Sequence, residues 1–448
     1  MHTDANMLAP AQQLQAIRDA STLVVEDLLG SGTQGEVYRV SRADGKPDMA
    51  LKWYYPHTAT DAQRSALAAI VEANPPSSSF LWPYSLVTAE GVNGFGYVMP
   101  LRPAGFGSIP DLLSRRIEPT FRVLATAGYN MAHSFRMLHA AGLCYCDISM
   151  SNIFLDPNTG AVLIADNDNV TTDGTGKSSI SGTLPFMAPE LIRGETVPSA
   201  VTDMHSFGVL VSYMFLLQHP FEGAREADIH CLDDVAMRHL YAEQPLFIFD
   251  PHNSANRPLP GYHDNAIAFW PVYPRFFRES LTRTFTEGVR DPAHGRVREI
   301  EWAHVFQCLI DAIVHCPACH RESFYCTDKL DPQTGSVGVC WGCKDRISIP
   351  CRMRVEDRIV MLERDTVIHE HSLGDPSETA FERILGRVVP HPSLSGALGL
   401  RNESRFTWIV RRGAAQGTPV GPGKAVMLEQ DLVIEFGPAI GRVRMGSQ

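Results

Sequence analysis

The feature that most constrains this chain is an ordered set of glycines, one lysine and several acids spread over its first 170 positions or so. Gly30-Ser-Gly32-Thr-Gln-Gly35-Glu-Val37 lies between two β-like runs. Glycine at these positions lets backbone amides approach phosphate oxygens where side chains would clash. Further on, Lys52 ends the apolar run Met49-Ala50-Leu51, a poor place for a lysine unless its ammonium meets a buried anion. Alone, the loop reads equally well as an ordinary glycine-rich hairpin and the lysine as a strand-edge residue. They do not stand alone, because Asp147-Ile-Ser-Met-Ser-Asn152 follows a helix-like segment and Asp166 ends the β-like run Val162-Leu163-Ile164-Ala165.

The surrounding pattern predicts how these residues are carried. From Thr22 to about Glu90, short alternating runs such as Glu36–Val40 and Met49–Trp53 flank one helix-like stretch, Asp61–Ala73, which predicts a small sheet with one helix. From Thr120 to about Val314, apolar-periodic segments (Phe121–Ala140, Asp203–Gln218, Ile300–Val314) predict a larger, mainly helical lobe. A chain of 448 residues with 44% hydrophobic composition exceeds one compact core, so two or three domains are expected. Its formal charge of -11 argues against a nucleic-acid partner, since an acidic surface repels phosphate. The most apolar stretch, Phe207–Leu217, is too short to span a membrane, and the N-terminal stretch lacks the apolar core of a secretory signal. The expected location is therefore the cytoplasm, where the ten cysteines serve as metal ligands if clustered and as buried hydrophobes if scattered.

Further matches follow in order: Gly182-Thr183 before Met187, Ala188-Pro189-Glu190, Asp203-Met-His-Ser-Phe-Gly208 and Arg296. With these, residues 22–312 resemble the eukaryotic-like Ser/Thr protein kinases. The resemblance implies an α+β bilobal kinase fold, with a small lobe to about 102, a large lobe over 103–312 and an N-terminal extension over 1–21. It implies ATP with Mg²⁺ or Mn²⁺: Asp166 and Asn152 hold metal, Lys52 holds the α- and β-phosphates, and Asp147 orients the acceptor hydroxyl and accepts its proton. It also implies a carboxylate partner for Lys52, for which Glu72 on the Asp61–Ala73 stretch is preferred over Asp61. By the same resemblance Met99 guards the back of the adenine pocket, and the Pro100 carbonyl and Arg102 amide pair with the adenine edge. Val37, Ala50 and Phe154 sandwich the base, and Arg296 pairs with Glu190.

The pattern departs from this family at several places. Tyr145-Cys146-Asp147 replaces His-Arg-Asp, so the arginine that reads an activation-segment phosphate is absent. Ser149 stands where a lysine usually stabilises the transferring phosphoryl group, which predicts slow turnover or a compensating cation. Asp166-Asn167-Asp168 replaces Asp-Phe-Gly, removing an apolar residue and adding an acid, either a metal ligand or a surface carboxylate. Cys144 and Cys146 are read as buried, inert thiols rather than a redox pair. These departures leave two competing readings, a nucleotide-binding pseudokinase scaffold and a small-molecule kinase of the aminoglycoside or choline type.

Beyond residue 312 the texture changes. Cys316-Pro-Ala-Cys319 and Cys340-Trp-Gly-Cys343 have the spacing by which two knuckles bring four thiolates into a tetrahedron, so 313–350 is read as a ribbon holding structural Zn²⁺. Over 351–448, β-prone runs such as Thr407–Val410 and Leu432–Phe436 resemble the later strands of a forkhead-associated (FHA) β-sandwich. That resemblance implies either loops near Arg387 and Asn402 that read a phosphothreonine or a non-binding sandwich that supports partner docking, so no binding residue is assigned there. A kinase, a four-cysteine ribbon and such a tail are together similar to bacterial kinases of tellurite-resistance-associated triads. That similarity implies a PP2C-type phosphatase and a von Willebrand factor A (vWA) domain protein as partners, the latter as substrate. It also implies autophosphorylation among Thr171, Thr172, Thr175, Ser178, Ser179, Ser181 and Thr183.

Overall fold

The computed structural model describes residues 7–175, 182–331, 333–356, 358–374, 383–413 and 415–446. Ser178, Ser179 and Ser181 lie outside these residues.

Alternation of buried and exposed side chains builds an antiparallel barrel at the N-terminal end: β1 (Gln13–Ala16), β2 (Thr22–Ser31), β3 (Gly35–Arg42), β4 (Met49–Tyr54), β5 (Ser85–Ala89) and β6 (Val92–Pro100). The strand order is β1-β2-β3-β4-β6-β5, and β1 pairs with both β2 and β5 to close it. Of the expected N-terminal extension, Gln13–Ala16 instead belong to the barrel: Leu14 and Ala16 are buried with Leu23, Tyr38, Val40 and Trp53 in its core. Closure leaves no open sheet edge.

The one helix among the described residues of this lobe, α1 (Asp61–Glu72), is capped by the Thr60 hydroxyl, which accepts from the Gln63 N–H. Leu67, Ile70 and Val71 are buried, and Glu72 is exposed. At about 100° per residue Glu72 falls on the face away from that apolar stripe.

After β6 the chain runs through β7 (Gly107–Ser108) and α2 (Ile109–Leu113) into α3 (Phe121–Ala140), capped by Thr120. Then β8 (Leu143–Cys144), β9 (Ile153–Leu155) and β10 (Val162–Ile164) form short strands beneath the cleft. The helices α4 (Pro189–Arg193) and α5 (Ala200–Leu216) follow, and α5 is buried on almost every side, as its apolar sequence requires. The helix Glu299–Asp311 packs on α3, where Gly128 leaves room for the Phe306 ring: a Cβ at 128 would lie 2.6 Å from that ring. Buried rings such as Phe135, Phe207 and Trp302 each contribute roughly 1.5–3 kcal/mol of burial to this core.

The expected helix Ile300–Val314 ends at Asp311, because Ile313–His315 instead pairs with Glu322–Phe324 as a hairpin. A second hairpin joins Ser336–Val339 to Arg346–Ser348. Residues from 352 onward build two facing sheets around Met353, Leu400, Trp408 and Ile434, with six and four strands. Trp408–Arg411 and Val433–Glu435 are the strands expected near 407 and 432.

Candidate active site

A cavity of about 570 Å³ separates the barrel from the helical lobe. It is lined by Gly30, Gly32, Gly35, Val37, Ala50, Lys52, Met99, Pro100, Arg102, Asp147, Asn152, Phe154 and Asp166. Glu72 does not line it. Leu29 and Leu81 also line it and carry no motif that would have singled them out, as do Gln34 of the glycine loop, Ala165 before Asp166, and Thr183, which the sequence offered only as a match beside Gly182 and a phosphosite.

The glycines serve two different needs. A Cβ on Gly30 would meet nothing within 4 Å, and one on Gly32 only the Gly35 carbonyl at 3.9 Å, so both present bare backbone to the cavity. A Cβ on Gly35 would lie 2.1 Å from the Trp53 carbonyl oxygen, so this glycine is required by the β3–β4 approach itself.

Lys52 on β4 is 5% exposed, and its Nζ donates to Asp166 Oδ1 (2.5 Å), Asp168 Oδ2 (2.9 Å) and Gln34 Oε1 (2.9 Å). Burial by itself would lower the ammonium's pKa, but the carboxylates of Asp168 and Asp166 outweigh it and raise it. The expected pairing with Glu72 is therefore not made, because the apolar stripe of α1 turns that side chain to solvent. Asp168 is not a surface carboxylate either: it is 3% exposed and accepts a second hydrogen bond from the Tyr54 hydroxyl. Between the two acids, Asn167 is fully buried, and its amide donates to the Leu81 (2.9 Å) and Ile164 (3.0 Å) carbonyls. An amide that ties the segment to β10 and to the stretch leading into β5 thus stands where an apolar residue was expected.

Asp147 is presented by a backbone held from below. Asp203 on α5 accepts from the Tyr145 N–H (2.6 Å) and the Cys146 N–H (3.0 Å), and Cys146 takes a left-handed conformation with φ of 72°. Asn152 Nδ2 donates to the Asp147 carbonyl (3.0 Å) and Oδ2 (3.3 Å). Thr183 donates to Asp147 Oδ1 from both its backbone N–H and its hydroxyl, each at 3.0 Å. Burial raises the Asp147 carboxyl pKa, opposed first by these Thr183 bonds. Ser149 is buried with its Oγ 3.1 Å from Ser151 Oγ, and among the described residues only Lys52 and Arg102 bring cations to the cavity. Arg296 pairs with Glu190 through two bonds, Nη1 to Oε1 at 2.7 Å and Nη2 to Oε2 at 2.8 Å, both side chains buried.

Asp147, Asp166 and Asp168 thus place several acids around one ammonium. Burial, and after it the Asp168 charge, raises Asp166 to about 6. This excess of oxygen donors and negative charge is the chemistry a hard divalent cation takes, and Asp166 and Asn152 both face the cavity where they would hold it.

At the other end of the cleft Ala50 pairs with Met99 across β4 and β6, and both are buried. The Arg102 guanidinium lies 4.3 Å from the centre of the Phe154 ring, a cation–π contact, while its Nη1 donates to the Phe106 carbonyl at 2.6 Å. Cys144 and Cys146 have Sγ atoms 3.6 Å apart, but their mutual hydrogen bond and burial push the Cys146 thiol pKa up, away from a reactive thiolate.

The four ribbon cysteines come together at the tips of the two hairpins. All their Sγ atoms lie within 4.8 Å of one another, with Cys316 to Cys343 at 3.5 Å and Cys319 to Cys340 at 3.6 Å. Four thiolates at about 2.3 Å from one tetrahedral ion would be about 3.8 Å apart, so the donor set fits a closed metal site. The tips share one construction: His320 and Lys344 are both left-handed, and their N–H groups donate to the Cys316 and Cys340 carbonyls.

Residues 23–257, just over half of the chain, match the family described as protein kinase domain. The matched stretch holds the glycine loop, Lys52, Asp147, Asn152, Asp166 and Glu190. Among curated proteins the chain is 37% identical over 106 residues to a putative protein kinase C delta type homolog of Drosophila melanogaster, covering 23% of this chain and 15% of that protein. It is 35% identical over 98 residues to protein kinase C delta type of Mus musculus, covering 21% and 14%. It is 31% identical over 102 residues to the serine/threonine-protein kinase mos of Patiria pectinifera, covering 20% and 29%. The chain thus spans less than a third of the length of each of these relatives.

Proposed function

The chain belongs to the protein kinase family, and from that premise we propose that it is an ATP-dependent Ser/Thr protein kinase, transferring the γ-phosphate to protein hydroxyls, its own included. The observation that carries this reading is the convergence of Lys52, Asp147, Asn152 and Asp166 on one cleft beneath the glycine loop. Lys52 holds the α- and β-phosphates, and its carboxylate neighbours keep it charged. Asp147 orients the acceptor hydroxyl and takes its proton as the hydroxyl oxygen bonds to the γ-phosphorus and ADP leaves. Mg²⁺ or Mn²⁺ held by Asp166 and Asn152 supplies neutralisation of the triphosphate charge. Val37 and Ala50 cover the base, Phe154 supports it, Met99 closes the back, and the Pro100 carbonyl and Arg102 amide meet its edge.

The test is to incubate purified protein with labelled ATP and Mg²⁺ or Mn²⁺, with and without a protein acceptor. Wild type is compared with Asp147→Ala and Asp166→Ala. Label on protein that both substitutions abolish is the expected result. Nucleotide binding without transfer would favour the pseudokinase scaffold, for which the buried Ser149 at the catalytic-loop cation position is the supporting observation. Transfer to small alcohols but to no protein would favour the small-molecule kinase.

In the same reading Cys316, Cys319, Cys340 and Cys343 hold structural Zn²⁺, because four thiolates leave no coordination position for water. Metal analysis should return one equivalent of zinc, lost when Cys319 becomes Ser. The order of kinase, four-cysteine ribbon and β-sandwich supports placing the protein in a bacterial, tellurite-resistance-associated signalling module in the cytoplasm. Its partners there are a PP2C-type phosphatase and, as substrate, a vWA-domain protein. No described helix is long and apolar enough to cross a membrane. The sandwich is read as FHA-like. Asn402 braces its loops through the Phe406 and Val420 carbonyls, and Arg387 pairs with Glu403 at 3.3 Å, an ion pair a phosphothreonine would have to displace.

A further inference from the structure

We propose that Asp168 takes over the task of anchoring Lys52, so that the lysine is positioned by the metal-binding segment instead of by the helix α1. This rests on the kinase reading above, in which Lys52 grips nucleotide phosphates. Three observations carry it. The first is that the acids of α1 are out of reach: Asp61 and Glu72 stand at its ends, both exposed, and neither is paired with Lys52. The second is that Asp168 has the properties a lysine anchor needs. Its side chain has no solvent exposure, its Oδ2 is 2.9 Å from Lys52 Nζ, and its Oδ1 is buried without a hydrogen-bond partner. A carboxylate so placed has its charge compensated by Lys52 and the Tyr54 hydroxyl, and neither acid nor lysine is tolerable there without the other.

The third observation is what α1 offers instead. Gln63 Nε2 donates to the Tyr54 hydroxyl at 3.3 Å, and Tyr54 donates to Asp168. The helix therefore touches the lysine's anchor through a neutral relay and carries no charge of its own to the site. Asp166, the other carboxylate on Lys52, faces the cavity and is the group assigned to metal, whereas Asp168 lies behind it. When Asp166 turns to the metal, Asp168 remains as the carboxylate that keeps Lys52 in place. A swing of α1 would then leave the lysine where it is, and displacement of the segment around residues 166–168 would release it.

Asp168 is thus a positioning residue, and the test is a double-mutant cycle on the full chain that reads Mg·ATP affinity alongside kcat and KM. Asp168→Asn in the wild-type background should weaken ATP binding and lower kcat/KM by about ten- to a hundredfold in total, as loss of a charge-assisted contact does. In the Lys52→Met background the same change should leave ATP affinity unchanged or tighter, since the acid then only repels phosphate. Glu72→Gln should behave as wild type. Equal weakening by Asp168→Asn in both backgrounds would overturn the proposal, as would a raised Mg²⁺ requirement with ATP affinity otherwise intact, which marks a metal ligand. A loss on Glu72→Gln comparable to that of Asp168→Asn would also overturn it. Thermal melts of each variant identify unfolding, and the gentler Tyr54→Phe, which removes one bond from Asp168, should then give a smaller loss of the same kind. Because the cycle reads binding, it decides the role of Asp168 even if wild type transfers no phosphate, an outcome that would overturn the kinase reading alone.

Discussion

His139 on α3 sits between two carboxylates from other helices, with Nε2 3.0 Å from Asp203 Oδ2 and Nδ1 bonded to Glu299. Burial favours the neutral ring, but the bonds to Asp203 and Glu299 outweigh it and push the pKa up to about 9 from 6.5. A folded-state pKa above the unfolded value gives stability that is fully present below about pH 6.5 and lost as the pH rises through about 9. Melting curves from pH 6 to 10 should show that loss in wild type. His139→Gln should be less stable by about 3 kcal/mol at pH 6 and nearly flat across the same window. Since Asp203 also holds the Tyr145 and Cys146 amides, alkaline loss of the His139 charge should reach the Asp147 loop. Thr183→Ala tests that loop from the other side. It removes one of two bonds that hold Asp147 Oδ1 and lower its pKa, so burial should push the carboxyl further up. The acidic limb of the pH–rate profile should move to higher pH, and kcat at pH 7 should fall about tenfold with KM for ATP little changed. None of these couplings is legible from the chain, because His139 and Thr183 acquire their partners only when α3, α5 and the segment after Gly182 are folded together.

At the scale of the element, the glycine loop separates two requirements that look alike on paper. Gly35→Ala drives a methyl into the Trp53 carbonyl and should cost about 1–3 kcal/mol of stability in a melt. Gly32→Ala meets open space and should leave the melt within about 0.5 kcal/mol of wild type while raising KM for ATP. Equal destabilisation by both would mean the hairpin, and not the ligand, selects Gly32. Helix α1 teaches a related point. Its distance along the chain made Glu72 a reasonable partner for Lys52, but the stripe Leu67, Ile70 and Val71 sets which face meets the barrel. That periodicity was available in the chain and already places Glu72 on the outside. The third acid of Asp166-Asn167-Asp168 was visible too, yet nothing in one dimension says that it turns inward.

For the whole molecule, the ribbon is continuous with the core of the large lobe. Phe324 and Cys326 share that core with Phe121 and Tyr273, Trp341 packs at a tilt against Phe121 with ring centres 5.7 Å apart, and the Arg122 N–H donates to Glu322 at 2.8 Å. Stripping metal from the four cysteines should therefore lower the melting transition of the large lobe itself, by about 5 °C or more, without first producing a separate ribbon transition. The β-sandwich has its own core and meets the helix Glu299–Asp311 through polar contacts, including Ser372 Oγ to Asp311 Oδ1 at 3.0 Å. Met361 of the sandwich is buried in one cluster with Cys316 and Cys340, so the sandwich transition should fall under the same treatment as well, by less than that of the large lobe, which differential scanning calorimetry with and without chelator would show.

The chain by itself determined which residues are chemical and what most segments become, Gln13–Ala16 and Ile313–His315 excepted. Glycines, a lysine and acids in a fixed order, apolar periods of two or 3.6, and paired cysteines are local signals, because backbone sterics and burial act on neighbours along the chain. Tertiary structure alone decided partnership: that Lys52 is held by Asp168, that β1 closes the barrel, and that the ribbon joins the large-lobe core. Such choices turn on which charges are desolvated together and which faces are turned inward. Those are properties of the packed molecule, and no spacing along the sequence encodes them.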